Sequence, residues 1–161
     1  MDQNYDILVE ELDEATCWHL LSRAAFGRVG FVHGDEVMVL PVNSAVKDDR
    51  VLFRTANETL LAAAGNGSVV AFESDHTDQV TESGWSVLVR GRLWDITDAP
   101  ETATFHELTV RPWAPGLRNR WMSIEPTAVT GRRIQRQRIM SGGTRRDPPT
   151  DAGRPIAEPV A

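Results

Sequence analysis

Trp85-Ser86-Val87-Leu88-Val89-Arg90-Gly91-Arg92-Leu93-Trp94-Asp95-Ile96 alternates along its length, and that alternation decides the fold class. Trp85, Val87, Val89, Gly91 and Leu93 fall on one face, and Ser86, Leu88, Arg90, Arg92 and Trp94 on the other. A period of two sustained this long is a strand with one face turned to a core. Gly91 inside it predicts a bulge or a close approach by another backbone.

On the N-terminal side, residues 68–74 read as a further strand, reached from 85–96 through a polar loop at 75–83. Residues 28–33 and 36–45 are apolar and β-branched, and Gly34-Asp35 between them suits a tight hairpin. Lys47-Asp48-Asp49-Arg50 makes the next turn, into a strand over 51–55. Residues 12–22 carry a helical stripe of Ala15, Trp18 and Leu21 (or Leu20), with Asp13-Glu14 favourably placed at its start. Asn57 is the expected N-cap of a short helix over 58–64, stopped by Gly65-Asn66-Gly67. On the C-terminal side, 98–108 reads as an amphipathic helix and 111–116 as a stiff loop, and 121–134 returns to strand. The expectation is a mainly β fold with short α-helices: six antiparallel strands, hiding their edges by closing into a barrel. An open sheet flanked by helices is the competing architecture. Residues 1–11 form an N-terminal segment, 12–134 the domain, and 135–161, rich in Arg, Pro, Gly and Thr, a tail expected to be disordered.

Composition narrows the chemistry. The formal charge is −6, but 135–161 alone carries a local +2, so residues 1–134 stand at −8. So acidic a body repels polyanions and argues against a nucleic-acid binder. Lys47 is the only lysine, so phosphate recognition must rest on guanidinium groups, amides and hydroxyls. Cys17 is the only cysteine, which excludes an intrachain disulfide, and no apolar run approaches the ~18 residues of a membrane span. A soluble cytoplasmic protein is expected. His19, His33, His76 and His106 have no metal-ligand spacing, so no metal is assigned. Ser83-Gly84-Trp85-Ser86 is not a nucleophile elbow, and Cys17 is expected to be a buried, inert thiol. No catalytic acid or base is assigned.

One constellation remains, Phe53-Arg54-Thr55-Ala56-Asn57-Glu58-Thr59. A strand ends in Arg-Thr and a helix is expected two residues later, so Arg54 offers a guanidinium fork and Thr55 and Thr59 offer hydroxyls to an anion. The other reading of Arg54 is a solvated or salt-bridged surface residue.

Phe26-Gly27-Arg28-Val29, Val39-Leu40-Pro41-Val42-Asn43, Val51-Leu52-Phe53-Arg54-Thr55, Val70-Ala71-Phe72-Glu73 and Gly84-Trp85-Ser86-Val87-Leu88-Val89-Arg90-Gly91 follow one another in this order. That succession resembles the pyridoxamine 5′-phosphate oxidase-like family. It is similar in particular to an actinobacterial branch that carries Arg111-Pro112-Trp113-Ala114-Pro115-Gly116 and Val129-Thr130-Gly131-Arg132-Arg133-Ile134. The resemblance covers about 12–134 and implies a split β-barrel, a homodimer and FMN in a groove between subunits, with a deazaflavin or haem as rarer ligands. By position it implies that Arg54 and Thr55 hold the flavin phosphate, with Thr59 beside them, and that Pro41, Val42 and Asn43 run along the isoalloxazine ring. Trp85 and Ser86 would line the site, from the partner subunit. Gly27 and Arg28 are scaffold. The family usually continues past Arg-Thr with Gly, then Ser or Thr, then Lys; here Glu58, Thr59 and Leu60 stand there, so a cation is lost and an anion gained. The implied function is an FMN-dependent oxidoreductase of unread substrate. The alternative is a non-catalytic split-barrel binding protein that has lost FMN or holds another ligand.

Overall fold

The computed structural model describes residues 5–56, 59–108, 110 and 116–138. In chain order they form β1 (Tyr5–Leu12), α1 (Glu14–Arg23), β2 (Phe26–His33), β3 (Glu36–Lys47), β4 (Arg50–Thr55), α2 (Leu60–Ala63), β5 (Val69–Asp78), β6 (Ser83–Asp95), a 3-10 helix (Pro100–Glu107) and β7 (Arg120–Arg138). The sheet order is β1-β7-β4-β3-β2-β5-β6, every neighbour antiparallel, and β6 also pairs with β7. That last pairing closes β2–β7 into a ring of six strands and excludes the open sheet.

Local chemistry sets the corners. Gly34 has φ +61°, and Asp48 and Asp49 have φ 52° and 53°, so two-residue turns with left-handed backbone join β2 to β3 and β3 to β4. The register of β6 on β7 slips between Arg90 and Gly91, the irregularity expected from the sequence. A Cβ at Gly91 would stand 2.2 Å from the Glu125 carbonyl oxygen, so the two chains can approach there only without a side chain.

Inward positions of the ring fill with Val29, Phe31, Val51, Phe53, Val70, Phe72, Val87, Val89, Leu93, Met122 and Ile124, and α1 packs Cys17, Trp18 and Leu21 against them. The helical stripe therefore runs through Cys17 rather than Ala15, which is exposed. Asp13 caps α1 by accepting from the Thr16 amide at 2.7 Å. The Cys17 thiol is buried, and burial, with Asp13 and Glu14 nearby, pushes its pKa up, keeping it protonated and unreactive.

Four expectations need correction. The N-terminal segment is a strand: Tyr5 to Leu12 pairs with Arg138 to Gly131, so the sheet has seven strands and β7 runs four residues into the expected tail. The supposed polar loop at 75–83 is strand as far as Asp78, because its residues continue the β5–β6 ladder. The helix expected over 98–108 is a 3-10 helix whose start carries Pro100. The short helix narrows to Leu60–Ala63, capped by Thr59 accepting from the Ala62 amide; the expected cap, Asn57, lies outside the described residues, as does the tail from 139.

Candidate functional site

Alternation along β4 points Val51, Phe53 and Thr55 into the barrel and turns Leu52 and Arg54 outward. Leu52 is nevertheless fully buried, and the 3-10 helix explains why. Its Phe105 is buried edge-on to Trp121, with ring centroids 5.3 Å apart, on the outer face of β4 and β7. Arg54, the cross-strand partner of Trp121, lays its guanidinium 5.4 Å from that indole. Its Nε is buried and has no hydrogen-bond partner among the described residues. The Ser123 hydroxyl, two residues along the same face, and Arg118 Nε share that condition. A buried polar group without a partner costs about 1–3 kcal/mol, more when charged, so such atoms mark where a partner belongs.

Thr55 points inward, its hydroxyl 2.8 Å from that of Thr59. The Thr59 hydroxyl already donates to the Ala56 carbonyl at 3.2 Å and accepts from the Ala62 amide. Its single proton is spent, so Thr55 is the donor of the shared bond. The two threonines thus clasp the β4 end to α2. Either would have to exchange a bond before donating to an anion.

Neighbouring β3 contributes Pro41, Val42 and Asn43. Pro41 is exposed opposite Arg28, and Val42 packs against the core. Asn43 lies one position beyond the last β3–β4 pair, Ser44↔Phe53, and so shares the outer face with Arg54. Its side-chain amide donates to the Ala25 carbonyl at 3.3 Å. The structure therefore brings Arg54, Thr55, Thr59 and Asn43 to one strand end, with Pro41 two residues back on the same outer face as Asn43 and Val42 turned to the core between them.

Trp85 and Ser86 are elsewhere. Trp85 pairs with Arg133, whereas Arg54 pairs with Trp121, twelve residues away on β7. At about 3.3 Å per residue that is roughly 40 Å of extended chain. Trp85 leans on the core, and Ser86 faces outward between two clefts, of about 690 and 410 Å³. The larger runs between β1 and β6 past Glu11, Glu73, Leu88, Thr130 and Arg132; the smaller passes Asp75, Asp78 and Glu82. Neither includes Arg54, Thr55, Thr59, Pro41, Val42 or Asn43. Sequence reasoning missed these acidic walls, although the alternation of β5 puts Glu73 on the outer face. Arg28 bridges Glu73 at 3.0 Å and Asp75 at 2.8 Å, fixing β2 to β5, consistent with a scaffold role.

A third group locks the strand that faces Arg54. The Arg120 Nε donates to Asp95 at 2.7 Å. Asp95 also accepts from the Thr97 hydroxyl and amide, at 2.6 and 2.9 Å. Burial works against the Asp95 carboxylate, but the Thr97 bonds and Arg120 outweigh it and hold its pKa below the ordinary value. The Trp121 amide in turn donates to the Thr97 hydroxyl at 3.0 Å. Trp121, the platform under Arg54, is thereby fixed from β6.

Among the described residues no three His, Cys, Asp or Glu side chains gather as metal ligands, and no helix is long and apolar enough to cross a membrane.

Comparison with known proteins places this geometry. The family model described as pyridoxamine 5′-phosphate oxidase matches residues 13–133. An uncharacterised Mycobacterium tuberculosis protein is 35% identical over 131 residues, spanning 78% of this chain and 86% of its own. The structure of an FAD binding protein from Mycobacterium smegmatis superposes with a TM-score of 0.67 at 34% identity, covering 78% of this chain and 98% of the other. A Corynebacterium glutamicum protein assigned as a pyridoxamine 5′-phosphate oxidase gives 0.67 at 30% identity, covering 79% and 94%. The ring of six strands is thus the split barrel of that fold group, and these relatives are actinobacterial.

Proposed function

The chain belongs to the pyridoxamine 5′-phosphate oxidase family, and on that footing we propose that it holds a flavin nucleotide at the β4 end and works as a homodimeric oxidoreductase. The observation that carries this reading is Arg54: a buried guanidinium nitrogen with no partner among the described residues, held over Trp121 at a strand end. A phosphate oxygen is the kind of acceptor such a nitrogen lacks. Thr55 and Thr59 contact that phosphate once their mutual bond is exchanged, and Asn43 with Pro41 and the Val42 backbone borders the ring system. FMN is the smallest such ligand; FAD shares its ring, ribityl chain and first phosphate, and the M. smegmatis relative is described as FAD-binding. A bound flavin would supply hydride and electron transfer, while this chain's residues bind and orient it. The buried, unpaired Cys17 suits a cytoplasmic setting.

Two features support the homodimer. Trp85 and Ser86 lie too far along β7 to border Arg54 within one chain, so the place at the flavin that the resemblance implies for them requires a second copy. The outer face of β2, β3 and β5 also carries Val32, Val37, Val39 and Val69, each 59 to 77% exposed, an apolar patch of the kind that marks an interface.

A second reading, a split-barrel binding protein that has lost the flavin, is favoured by Leu60, which is 41% exposed and brings no charge to the site. Absorption spectra of the purified protein, with FMN, FAD and riboflavin titrations, decide between them. A flavin spectrum and nucleotide binding support the first reading; no binding of any of the three sinks it. A Soret band or a deazaflavin spectrum would reassign the ligand. Arg54→Ala should weaken FMN by about 1.5–3 kcal/mol, the scale of a hydrogen bond to a charged group. Because it also removes a buried unpartnered nitrogen, the free protein's stability should change by less than about 1 kcal/mol. Light scattering at micromolar concentration should give twice the chain mass, and a monomer mass would remove the dimer from the proposal.

A further inference from the structure

β1 lies outside the family match, which begins at residue 13, and it does more than lengthen the sheet. It walls the cleft of about 690 Å³. Strand register builds the surface of that cleft. One row across β1, β7 and β6 is Glu11, Arg132 and Ser86; the next, across β7, β6 and β5, is Thr130, Leu88 and Glu73. Val9, two residues back from Glu11, shares their outer face and closes the β1 side. A hollow of this size that mixes apolar side chains with a few polar groups has the build of a small-molecule site.

The charges choose the ligand. Glu10 stands opposite Arg133 across the β1–β7 ladder, and Glu11 stands opposite Arg132. On the far face the first couple closes into an ion pair at 3.5 Å, whereas on the cleft face Glu11 forms none among the described residues. Across the hollow, Glu73 shares the single Arg28 with Asp75. The smaller cleft beyond Ser86 adds Asp75, Asp78 and Glu82, and Arg132 is the one arginine lining either. Even counting Arg28, and Arg136 on Glu82, five carboxylates stand against three guanidinium groups. A hollow with surplus negative charge concentrates cations, the more so on a body of net −8 over residues 1–134. We propose that the β1 cleft binds a small organic cation, a protonated amine on an apolar body. Glu11 receives the ammonium group, the Ser86 and Thr130 hydroxyls accept its remaining N–H bonds, and Val9 and Leu88 hold the body. Carboxylates on opposite walls suit such a molecule better than a metal ion, which needs its ligands gathered. Binding needs neither flavin nor a second copy. On the flavin reading above, Ser86 would bring the cleft beside the ring, and the cation would be a substrate.

The test is an amide-resolved NMR titration of the full chain, without flavin, using tryptamine and its neutral and anionic counterparts, tryptophol and indole-3-propionate. Tryptamine should bind at least about fivefold more tightly than tryptophol, with indole-3-propionate weakest and the shifts centred on β1, β6 and β7. Glu11→Gln keeps the shape of an exposed side chain and removes its charge. It should weaken tryptamine by about threefold to tenfold and leave tryptophol within about twofold. Thr130→Phe, which fills the hollow, should abolish binding of all three. Glu36→Gln, at the β2–β3 turn and outside both clefts, should change nothing. Equal affinity for the three compounds would overturn the assignment, as would no binding at all. An equal loss of tryptamine in Glu36→Gln would do the same, because the attraction would then belong to the whole body. FMN and FAD titrations are read separately. Flavin binding without tryptamine binding sinks only the cleft; tryptamine binding without flavin binding keeps the cleft and sinks the flavin reading.

Discussion

The two ends of β7 are built on opposite principles. Between Arg120 and Ile124 the strand is paired on both edges, to β4 and β6, and Met122 and Ile124 are buried in the barrel. Between Gly131 and Arg138 it carries β1 as well, yet Ile7, Leu8, Val9 and Ile134 remain 37 to 57% exposed. The first end draws its stability from apolar burial, and basic nitrogens beside it have no acceptor among the described residues. The second closes two ion pairs locally: Arg133 meets Glu10, and Arg136 meets Glu82 and stacks 4.0 Å from the ring centroid of Tyr5. Unmet donors in a well-packed place are what a binding site needs before its ligand arrives. Ion pairs already closed in an exposed place are what a ladder needs to keep its register. The contrast fits the proposed reading, in which the first end binds the flavin nucleotide, and leaves the ion pairs of the second to strand pairing.

The strongest way to break the contrast is to remove the burial. Phe53, fully buried opposite Met122, should cost about 3–5 kcal/mol when cut to Ala, as other buried aromatic truncations do. Ile134→Ala at the far end should stay below about 1 kcal/mol, because that side chain is 37% exposed. Urea denaturation compares the two. Similar losses would mean that the far end is also core.

Next in size is the clasp behind Trp121. Asp95→Asn removes charge-assisted bonds to Arg120 and Thr97 and should cost about 1.5–3 kcal/mol near neutral pH. The folded carboxyl sits below its ordinary pKa, so its contribution is complete above the usual carboxylate range. It fades as pH falls through the lowered value. Melting curves from pH 7 downward should therefore converge for the wild type and Asp95→Asn in acid. A gap that persisted at the lowest pH would show that the charge is not what holds the clasp.

Smaller still is the effect of trimming the C-terminus. Cutting after Arg138 should leave the melting temperature unchanged if 139–161 adds nothing to the barrel. Cutting after Ile134 strips the partners of residues 5–8 and the Arg136–Tyr5 contact. That should cost about 1–2 kcal/mol and raise amide exchange in β1 alone. Exchange that rose in β4 as well would join the two ends into one cooperative unit.

How much of this could be read beforehand follows from range. The bulge at Gly91, the hairpin at Gly34 and the long alternation of β6 are local signals, and each is present where the residues place it. β1 was missed because Asp6-Ile7-Leu8-Val9-Glu10 is exposed throughout and never alternates; it is a strand only because β7 offers it an edge. For the site, Arg54 was visible as a residue type at a strand end and Asn43 only through the family resemblance; the structure sets them on one face. The buried Nε of Arg118, without an acceptor among the described residues, was not visible, since nothing in Leu117-Arg118-Asn119 separates it from the other fifteen arginines. Its distinction is an unmet nitrogen, which only packing creates.

The smallest effect tests the other half of the contrast, that the exposed end is held by closed ion pairs of little individual worth. Arg133 and Glu10 are direct cross-strand partners, with nitrogen and oxygen 3.5 Å apart and side chains 32% and 54% exposed. Attraction at that distance is screened by water and offset by the entropy of holding two long side chains. A double-mutant cycle of Glu10→Ala and Arg133→Ala should therefore return a coupling of about 0.2–1 kcal/mol. Repeated at 1 M salt, where the screening length falls to about 3 Å, the coupling should vanish. Arg133 also pairs with Trp85 across β6, so its single mutant will lose packing that salt does not touch. The cycle isolates the charge term by subtracting that loss. A coupling above about 2 kcal/mol, or one indifferent to salt, would mean that the pair is sheltered, as it would be beneath a second copy of the chain. The exposed end would then belong to the interface rather than to solvent.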